Sequence, residues 1–373
     1  MKNILIFNAG SSSLKFALFS LSKNPIKLLF GKCDRISHKK SQIVINNYEK
    51  VIYKKIPNFK KATQNILELL NTKNIHFDLI AHRVVHGGNI KKTSLINKKI
   101  IKIIQKNIQF APLHNPQELE IINYCKKLKK PQYVMFDTSF YSNLPLISST
   151  YPIPIELSKK LNLKKYGFHG ISHKFVSQNL KGKTISCHLG NGASITAIKN
   201  NKPIDTSMGL TPLEGIMMAT RAGDLDPGLI IFLEKKGYDV NKILNHKSGF
   251  KAFSNITDIR EIIAHQKNPK IKLGLDIFIY KIIKYIGAYT AALNGLDNLV
   301  FTGGIGENIP QIRKRICDNL SFLGIKIDKT KNNKNSEIIS LKNSKIKVFI
   351  KKTNEEELIA KEVYNIIWKT KYQ

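Results

Sequence analysis

The 373-residue chain is poor in several things, and each shortage excludes something. Its four cysteines, Cys33, Cys125, Cys187 and Cys317, lie far apart with no Cys-x-x-Cys pair, so neither a zinc site nor a disulfide framework is indicated. No apolar stretch approaches the roughly 18 residues of a membrane helix. The early run Ile4-Leu5-Ile6-Phe7 breaks at Asn8-Ala9-Gly10-Ser11-Ser12-Ser13, too soon for a signal peptide. A soluble, cytoplasmic protein is expected. Acidic residues are also scarce: 26 Asp+Glu against 61 Lys+Arg leave a net charge of +35. Arginine is scarcer still, at Arg35, Arg83, Arg221, Arg260, Arg313 and Arg315 alone. A nucleic-acid footprint concentrates charge on one face and uses Arg and stacking aromatics. Here Lys is scattered over every segment together with Asn and Ile, which reads as a compositional drift. Where Lys is the default cation, a position that is Arg calls for the planar two-pronged fork of a guanidinium.

What is present is an ordinary globular composition, 42% hydrophobic and 23% charged, in a chain long enough for two or three domains. The opening reads as strand, tight turn, strand, with the turn at Asn8 to Ser13 and the second strand from Leu14 to Phe19. Thr184 to Cys187, His188-Leu189-Gly190-Asn191-Gly192-Ala193-Ser194 and Ile195 to Ile198 repeat that design. Aligning Ser13-Leu14 with Ser194-Ile195 sets the copies about half a chain apart, which predicts two duplicated α/β domains facing each other across a cleft. The Pro- and Ser-rich stretch Pro145 to Pro154 divides residues 1–148, joined by a C-terminal helix over 356–373, from residues 149–355. Helices are expected over Thr63 to Asn71, Ile100 to Asn107, Pro116 to Lys127, Leu273 to Leu293 and Glu356 to Lys371. Short strands are expected over Leu79 to Val85, Tyr133 to Phe136 and Leu299 to Thr302, and Lys329 to Asn335 reads as a solvated loop.

Two apparent motifs fail on inspection. Gly182-Lys183-Thr184 lacks the first glycine of a P-loop and precedes a strand, and His169 and His173 have zinc-helix spacing but Gly170 where a metalloprotease has Glu. Three Gly-rich turns, at 8–13, 188–194 and 303–308, each leave a strand-like segment. Together they favour a phosphate cradle of backbone N–H groups, to which Lys15 adds a point charge. Arg83, in His82-Arg83-Val84-Val85-His86-Gly87-Gly88, and Arg221 and Arg260 are candidate anion ligands or ordinary ion pairs. Asp137 ends a β-rich run, where a catalytic carboxylate or a helix N-cap belongs. His169 is flanked by aromatics and glycine, as a donor in a shaped pocket or a structural histidine. Asp224 and Asp226 read as turn formers before Pro227. Thr353 and Glu356 fit a capping box, which competes with a metal-linked carboxylate at Glu355.

Asn8 to Phe16, His82 to Gly88, Ala111 to Pro116, Phe136 to Phe140, Tyr166 to His173, His188 to Ser194, Asp205-Thr206-Ser207-Met208-Gly209 through Pro227, Phe301 to Asn308 and Thr353 to Glu356 run in one order over nearly the whole chain. With these blocks the sequence resembles the acetokinase family, the acetate kinases of the actin and sugar-kinase superfamily. The resemblance implies two actin-like (ribonuclease H-like) domains and reversible, Mg²⁺-dependent transfer of the ATP γ-phosphoryl to a short-chain carboxylate. It implies Asn8 and Glu355 at Mg²⁺ (with Mn²⁺ as a substitute) and Arg83 at the acid. His169 and Arg221 would stabilise the phosphoryl group, with Asp137 as an acid/base or orienting carboxylate, of which orientation is expected because the acid needs no strong base. Lys15, His188, Leu189, Gly190, Asn191, Gly192, Asp258, Ile259, Arg260, Gly303, Gly304, Ile305, Gly306, Glu307 and Asn308 would meet ATP or ADP. A homodimer is implied as well, while the composition and the lack of long apolar runs leave no specific nucleic-acid and no membrane partner expected. Acetate is the expected acceptor, propionate or butyrate the alternative, and non-enzymatic binding of polyanions the remote one. Val84, Leu113 and Pro212 are candidate lining for the acid. Lys251 to Asn255 departs from the Gly/Ser-rich pattern usual before Asp258-Ile259-Arg260.

Overall fold

A computed structural model describes residues 2–10, 12–46, 49–53 and 55–372, so Ser11 of the expected first turn and Gln373 of the expected C-terminal helix lie outside the described residues. The chain forms two compact units, Met1–Ser142 with Asn354–Gln373, and Asn143–Thr353.

The first unit is built on β1 (Asn3–Ala9), β2 (Leu14–Ser20), β3 (Ile26–Asp34), β4 (Ser41–Ile45), β5 (Glu49–Tyr53), β6 (Leu79–Val84), β7 (Ser94–Leu95) and β8 (Gln132–Phe136), in the order β5-β4-β3-β2-β1-β6-β8-β7. Ile4 to Phe7 is apolar at every position because β1 is covered on both faces. It pairs antiparallel with β2 and parallel with β6, which is itself parallel to β8. The helix Phe59–Thr72 buries Phe59, Ala62, Ile66 and Leu70, the stripe that a 3.6-residue repeat places on one face. Its start is fixed by Asn58, whose side chain accepts from the Lys61 N–H, four residues earlier than hydrophobic periodicity alone suggests. The helix Glu355–Tyr372 buries Leu358, Ile359, Ala360 and Val363 and packs on β1.

The second unit holds β9 (Lys183–Leu189), β10 (Ala193–Lys199), β11 (Lys202–Thr206), β12 (Asn298–Thr302) and β13 (Lys347–Ile350), in the order β11-β10-β9-β12-β13. The path repeats β3-β2-β1-β6-β8: an antiparallel meander, then two strands parallel to the first. Strand pairing corrects the motif alignment between the copies. Ala9 faces Leu14 and Leu189 faces Ala193, so Leu14 corresponds to Ala193 and the first turn is one residue longer than the second. The helix Pro269–Ala292 starts where Asn268 caps it and packs on β9 and β10.

Two local expectations are overturned. Lys329 to Asn335 is not a solvated loop: Lys329–Asn333 is helical and Asn332 is 2% exposed. Its polar side chain is there for the buried Arg313, whose Nε donates to Asn332 Oδ1 at 2.8 Å. Nor does Thr353 cap the last helix. Asn354 Oδ1 accepts from the Glu357 N–H at 3.4 Å while its side-chain Nδ2 donates to Glu357 Oε2 at 2.8 Å, so the side-chain cap lies one residue later. Thr353 Oγ1 is buried with no partner among the described residues.

Candidate active site

In the first unit the parallel pairing of β1 with β6 sets Asn8 beside Arg83, and Asp137 follows directly on β8, the next strand. Arg83 directs its fork at Asp137, with Nη2 2.5 Å from Oδ2 and Nε 3.3 Å from Oδ1, and Nη1 donates to the Ala9 carbonyl at 3.2 Å. Asp137 is fully buried. Burial pulls against the charge on Arg83, but Asp137 and Glu355 outweigh it and hold the guanidinium above its ordinary range. Asn8 Nδ2 donates to Glu355 Oε2 and to Glu356 Oε1, both at 2.8 Å, and Arg83 Nε lies 4.0 Å from Glu355 Oε2. Lys15 stands exposed on β2, directly across from Asn8.

Three residues to which sequence reading gave no role fix the segment after Arg83. Glu118 accepts from the Val85 N–H with both oxygens, Asn115 Oδ1 from the His86 N–H at 3.1 Å, and Thr138 Oγ1 from the Gly87 N–H at 3.1 Å. Asn115 and Thr138 sit inside motif blocks, which was the available signal. Glu118 lies two residues beyond one. Burial pushes the Glu118 carboxyl up to about 8 against the pull of Arg83. Val84 is fully buried among Ile100, Ile104, Ile122 and Val134, which makes it core, whereas Leu113 is half-buried.

In the second unit His169 adopts φ +54°, ψ +24° immediately before the helix Gly170–Ser177. Its ring stacks on His188 with centroids 4.4 Å apart, and its Nδ1 is 2.9 Å from Ser194 Oγ. Ser194 pairs with His188 across the β9–β10 hairpin. Arg221 donates from Nη1 to the Pro212 carbonyl at 2.7 Å. Burial draws its guanidinium down to about 10, still a cation at neutral pH. Gly192 brings these groups to one point: a Cβ there would lie 3.1 Å from Arg221 Nη2 and 3.2 Å from His169 Nε2.

Two of the glycine loops, 188–194 and 303–308, meet as well. Gly303 has φ +77°, and a Cβ on it would come within 2.7 Å of the Leu189 carbonyl. The helix Gly303–Asn308 is tied down by Glu307 Oε1, which accepts from the Gly303 N–H at 3.0 Å and the Thr353 N–H at 3.1 Å, and by Asn308 Nδ2 on the Gly304 carbonyl at 2.9 Å. The Glu307 carboxylate is therefore turned into the loop. Gly190 N–H donates to the Gly192 carbonyl, and Asn191 accepts from Ala219. Leu189, Ile259 and Ile305 are buried. Asp258 and Arg260 bond to each other, Nε to Oδ1 at 3.0 Å and Nη2 to Oδ2 at 2.5 Å, and to no other site residue. Asp226 caps the helix Pro227–Lys235, and Asp224 accepts from Gly215 N–H at 2.7 Å and Tyr285 OH at 2.5 Å. His169 and His173 hold serine hydroxyls, and no cluster of three metal-ligating side chains occurs among the described residues.

Two α/β units on one strand path, with glycine loops at the strand ends beside Arg and His, define a phosphotransferase of the actin-like sugar-kinase fold. The model of the acetokinase family matches residues 3–361, and the chain belongs to that family, whose enzymes transfer phosphoryl groups to a carboxyl acceptor. It is 44% identical to the acetate kinase of Thermosipho melanesiensis, covering 98% of each chain, and 43% identical to that of Clostridium acetobutylicum, covering 100% of each. Its structure is similar to the acetate kinase of Porphyromonas gingivalis (TM-score 0.87, 36% identity, 98% and 100% of the chains covered). It is also similar to a propionate kinase of Francisella tularensis (TM-score 0.90, 38% identity, 97% and 99% covered). No helix among the described residues is long and apolar enough to cross a membrane.

Proposed function

We propose that this chain catalyses reversible, direct in-line transfer of the ATP γ-phosphoryl group to acetate, giving acetyl phosphate and ADP. The observation that carries the reading is the point in front of Gly192, within hydrogen-bond distance of both Arg221 Nη2 and His169 Nε2. Two donors aimed at a place with no side chain suit an equatorial phosphoryl oxygen. Acetate is already ionised at pH 7, so the step requires no strong general base. It requires two anions held in line and their charge cancelled.

Arg83 binds the acid's carboxylate. Asp137, committed to the guanidinium, orients Arg83 and takes no proton. Arg221 and His169 hold the transferring group. Lys15, His188 to Gly192 and Gly303 to Asn308 attend the nucleotide, with Asp258 to Arg260 toward its base.

The carboxylates of Glu355 and Glu356, gathered by the Asn8 amide, fit a hard cation that Mg²⁺-type sites share with substrate phosphates and water. Asn8 and Glu355 would hold or orient Mg²⁺, which supplies charge neutralisation when bound. Cytoplasmic location and a homodimer belong to the same proposal, on the family resemblance.

Propionate is the second reading, favoured by the likeness to the Francisella tularensis enzyme. One methylene in such a pocket is worth about 1–3 kcal/mol. The test is hydroxylamine trapping of acyl phosphate with MgATP and acetate, propionate or butyrate, in wild type and Arg221→Ala. Highest kcat/KM with acetate, lost in the variant, is expected. A longer acid winning renames the substrate, and no product from folded, ATP-binding protein overturns the reading.

A further inference from the structure

Behind His169 lies a row of buried polar groups that the phosphotransfer reading does not use. Ser186 Oγ is 2.9 Å from His173 Nδ1, His173 Nε2 is 2.8 Å from Ser194 Oγ, and Ser194 Oγ is 2.9 Å from His169 Nδ1. Ser186, His173 and Ser194 are all completely buried. The row exists because two periodicities match. His169 and His173 are one helical turn apart, while Ser194 on β10 lies across from His188, two residues along β9 from Ser186.

Counting protons gives the row a direction. Burial, and then the neighbouring His188, hold His173 well below its ordinary range, so its ring is neutral with one donor and one acceptor. The Ser186 hydroxyl has His173 Nδ1 as its one side-chain partner among the described residues. A buried hydroxyl that does not donate there forfeits its hydrogen bond outright. Ser186 O–H therefore donates to Nδ1, which makes Nε2 the donor of His173. Ser194 accepts that N–H and spends its own proton on His169 Nδ1. The proton of His169 is then on Nε2, the nitrogen 3.2 Å from where a Gly192 Cβ would stand. Protonating Nδ1 as well would turn a second N–H onto Ser194 and strand the Ser194 hydroxyl proton.

We propose that Ser186, acting through His173 and Ser194, sets the tautomer of His169, so that it offers a neutral Nε2–H to the transferring phosphoryl oxygen while Arg221 supplies the positive charge. Ser186 and His173 are positioning residues. The inference rests on the assignment of His169 to the phosphoryl group.

The test is long-range ¹H–¹⁵N spectroscopy of histidine-labelled full-length protein at pH 7, with His169 assigned by His169→Gln. Wild type is expected to show His169 as the neutral Nε2–H tautomer. Ser186→Ala should give mixed tautomers and a kcat at least threefold lower at unchanged KM for ATP, and Ser186→Thr, which keeps the hydroxyl, should restore both. An Nδ1–H or imidazolium signal for His169 in the wild type overturns the proposal, and so does an unchanged His169 signal in folded Ser186→Ala. If Ser186→Ala does not fold, the wild-type spectrum decides alone. The expected tautomer in a protein that makes no acyl phosphate would sink the functional reading and leave the relay standing.

Discussion

Removing the charge from Asp137 separates two roles that its position combines. Asp137 is fully buried and Arg83 is 10% exposed in their ion pair. Asp137→Leu would leave that guanidinium with the Ala9 carbonyl at 3.2 Å and Glu355 at 4.0 Å. Breaking a buried pair from one side costs about 3–5 kcal/mol, because the remaining charge stays out of water, whereas replacing both partners by apolar groups is often neutral. Asp137→Leu should thus lower the urea midpoint of the first unit by about 1 M or more at a slope of roughly 1–3 kcal/mol per M. Arg83→Met combined with Asp137→Leu should recover most of that loss. Activity should follow the opposite pattern. The hydroxamate assay should find acyl phosphate formation crippled in both proteins, and most in the more stable one, which lacks the acid-binding guanidinium. A double variant no more stable than Asp137→Leu would refute the buried-pair argument. A double variant that still phosphorylates acetate would remove Arg83 from the acid site.

Gly192→Ala puts a methyl group 3.1 Å from Arg221 Nη2 and 3.2 Å from His169 Nε2. Displacing such donors should lower kcat by about 10²-fold or more while Tm barely moves, since φ at this position is not in the left-handed region. Glu118 titrates up to about 8 in the folded chain, above its ordinary value, so folding takes up a proton between about pH 4.5 and 8. Stability should fall with rising pH through that window by up to about 1.4 kcal/mol per unit, and urea titrations of Glu118→Gln should lack that part of the slope. Arg313 donates to Gly306, Asn332 and Asn335 from full burial, so Arg313→Met should cost about 3 kcal/mol or more. Freeing the Gly306 carbonyl should also raise KM for ATP, and normal ATP kinetics in a folded variant would count against this role for Arg313.

The glycine turns and the scarce arginines were legible because each is a local pattern with a local cause. Pairings across the chain were not. Asn8 meets Glu355 and Glu356 over more than 340 residues, and no periodicity encodes that; only resemblance to a family put Asn8 and Glu355 on one ion. Glu118 lies in the helix expected over Pro116 to Lys127, and nothing around it in the sequence says that it turns inward to Val85. Asn332 misled for the converse reason. Lys and Asn in a row resemble a solvated loop, and the partner that buries this one, Arg313, lies nineteen residues away. The serine and histidine row behind His169 needed strand register as well as helical spacing, and register is what the motif alignment of the two hairpins missed.

The arginines show how far composition can be pushed. In a chain whose default cation is Lys, the guanidinium fork should appear where geometry uses it. At Arg83 it grips a buried carboxylate, and at Arg313 it takes both the side chain and the backbone of Asn332, neither of which an ammonium could copy. Arg221 uses one nitrogen on Pro212 and presents another to the place in front of Gly192. Arg260 is the instructive remainder. Its fork closes on Asp258, but the side chain is 79% exposed, and a surface pair of that kind stabilises a protein little. Stability therefore gives no reason for Arg there. A guanidinium held flat by the carboxylate that caps its own helix is a planar surface already in position, which is of use to something that stacks on it. It is this exposed plane, more than any contact within the protein, that suits Arg260 to the nucleotide base in the proposed reading.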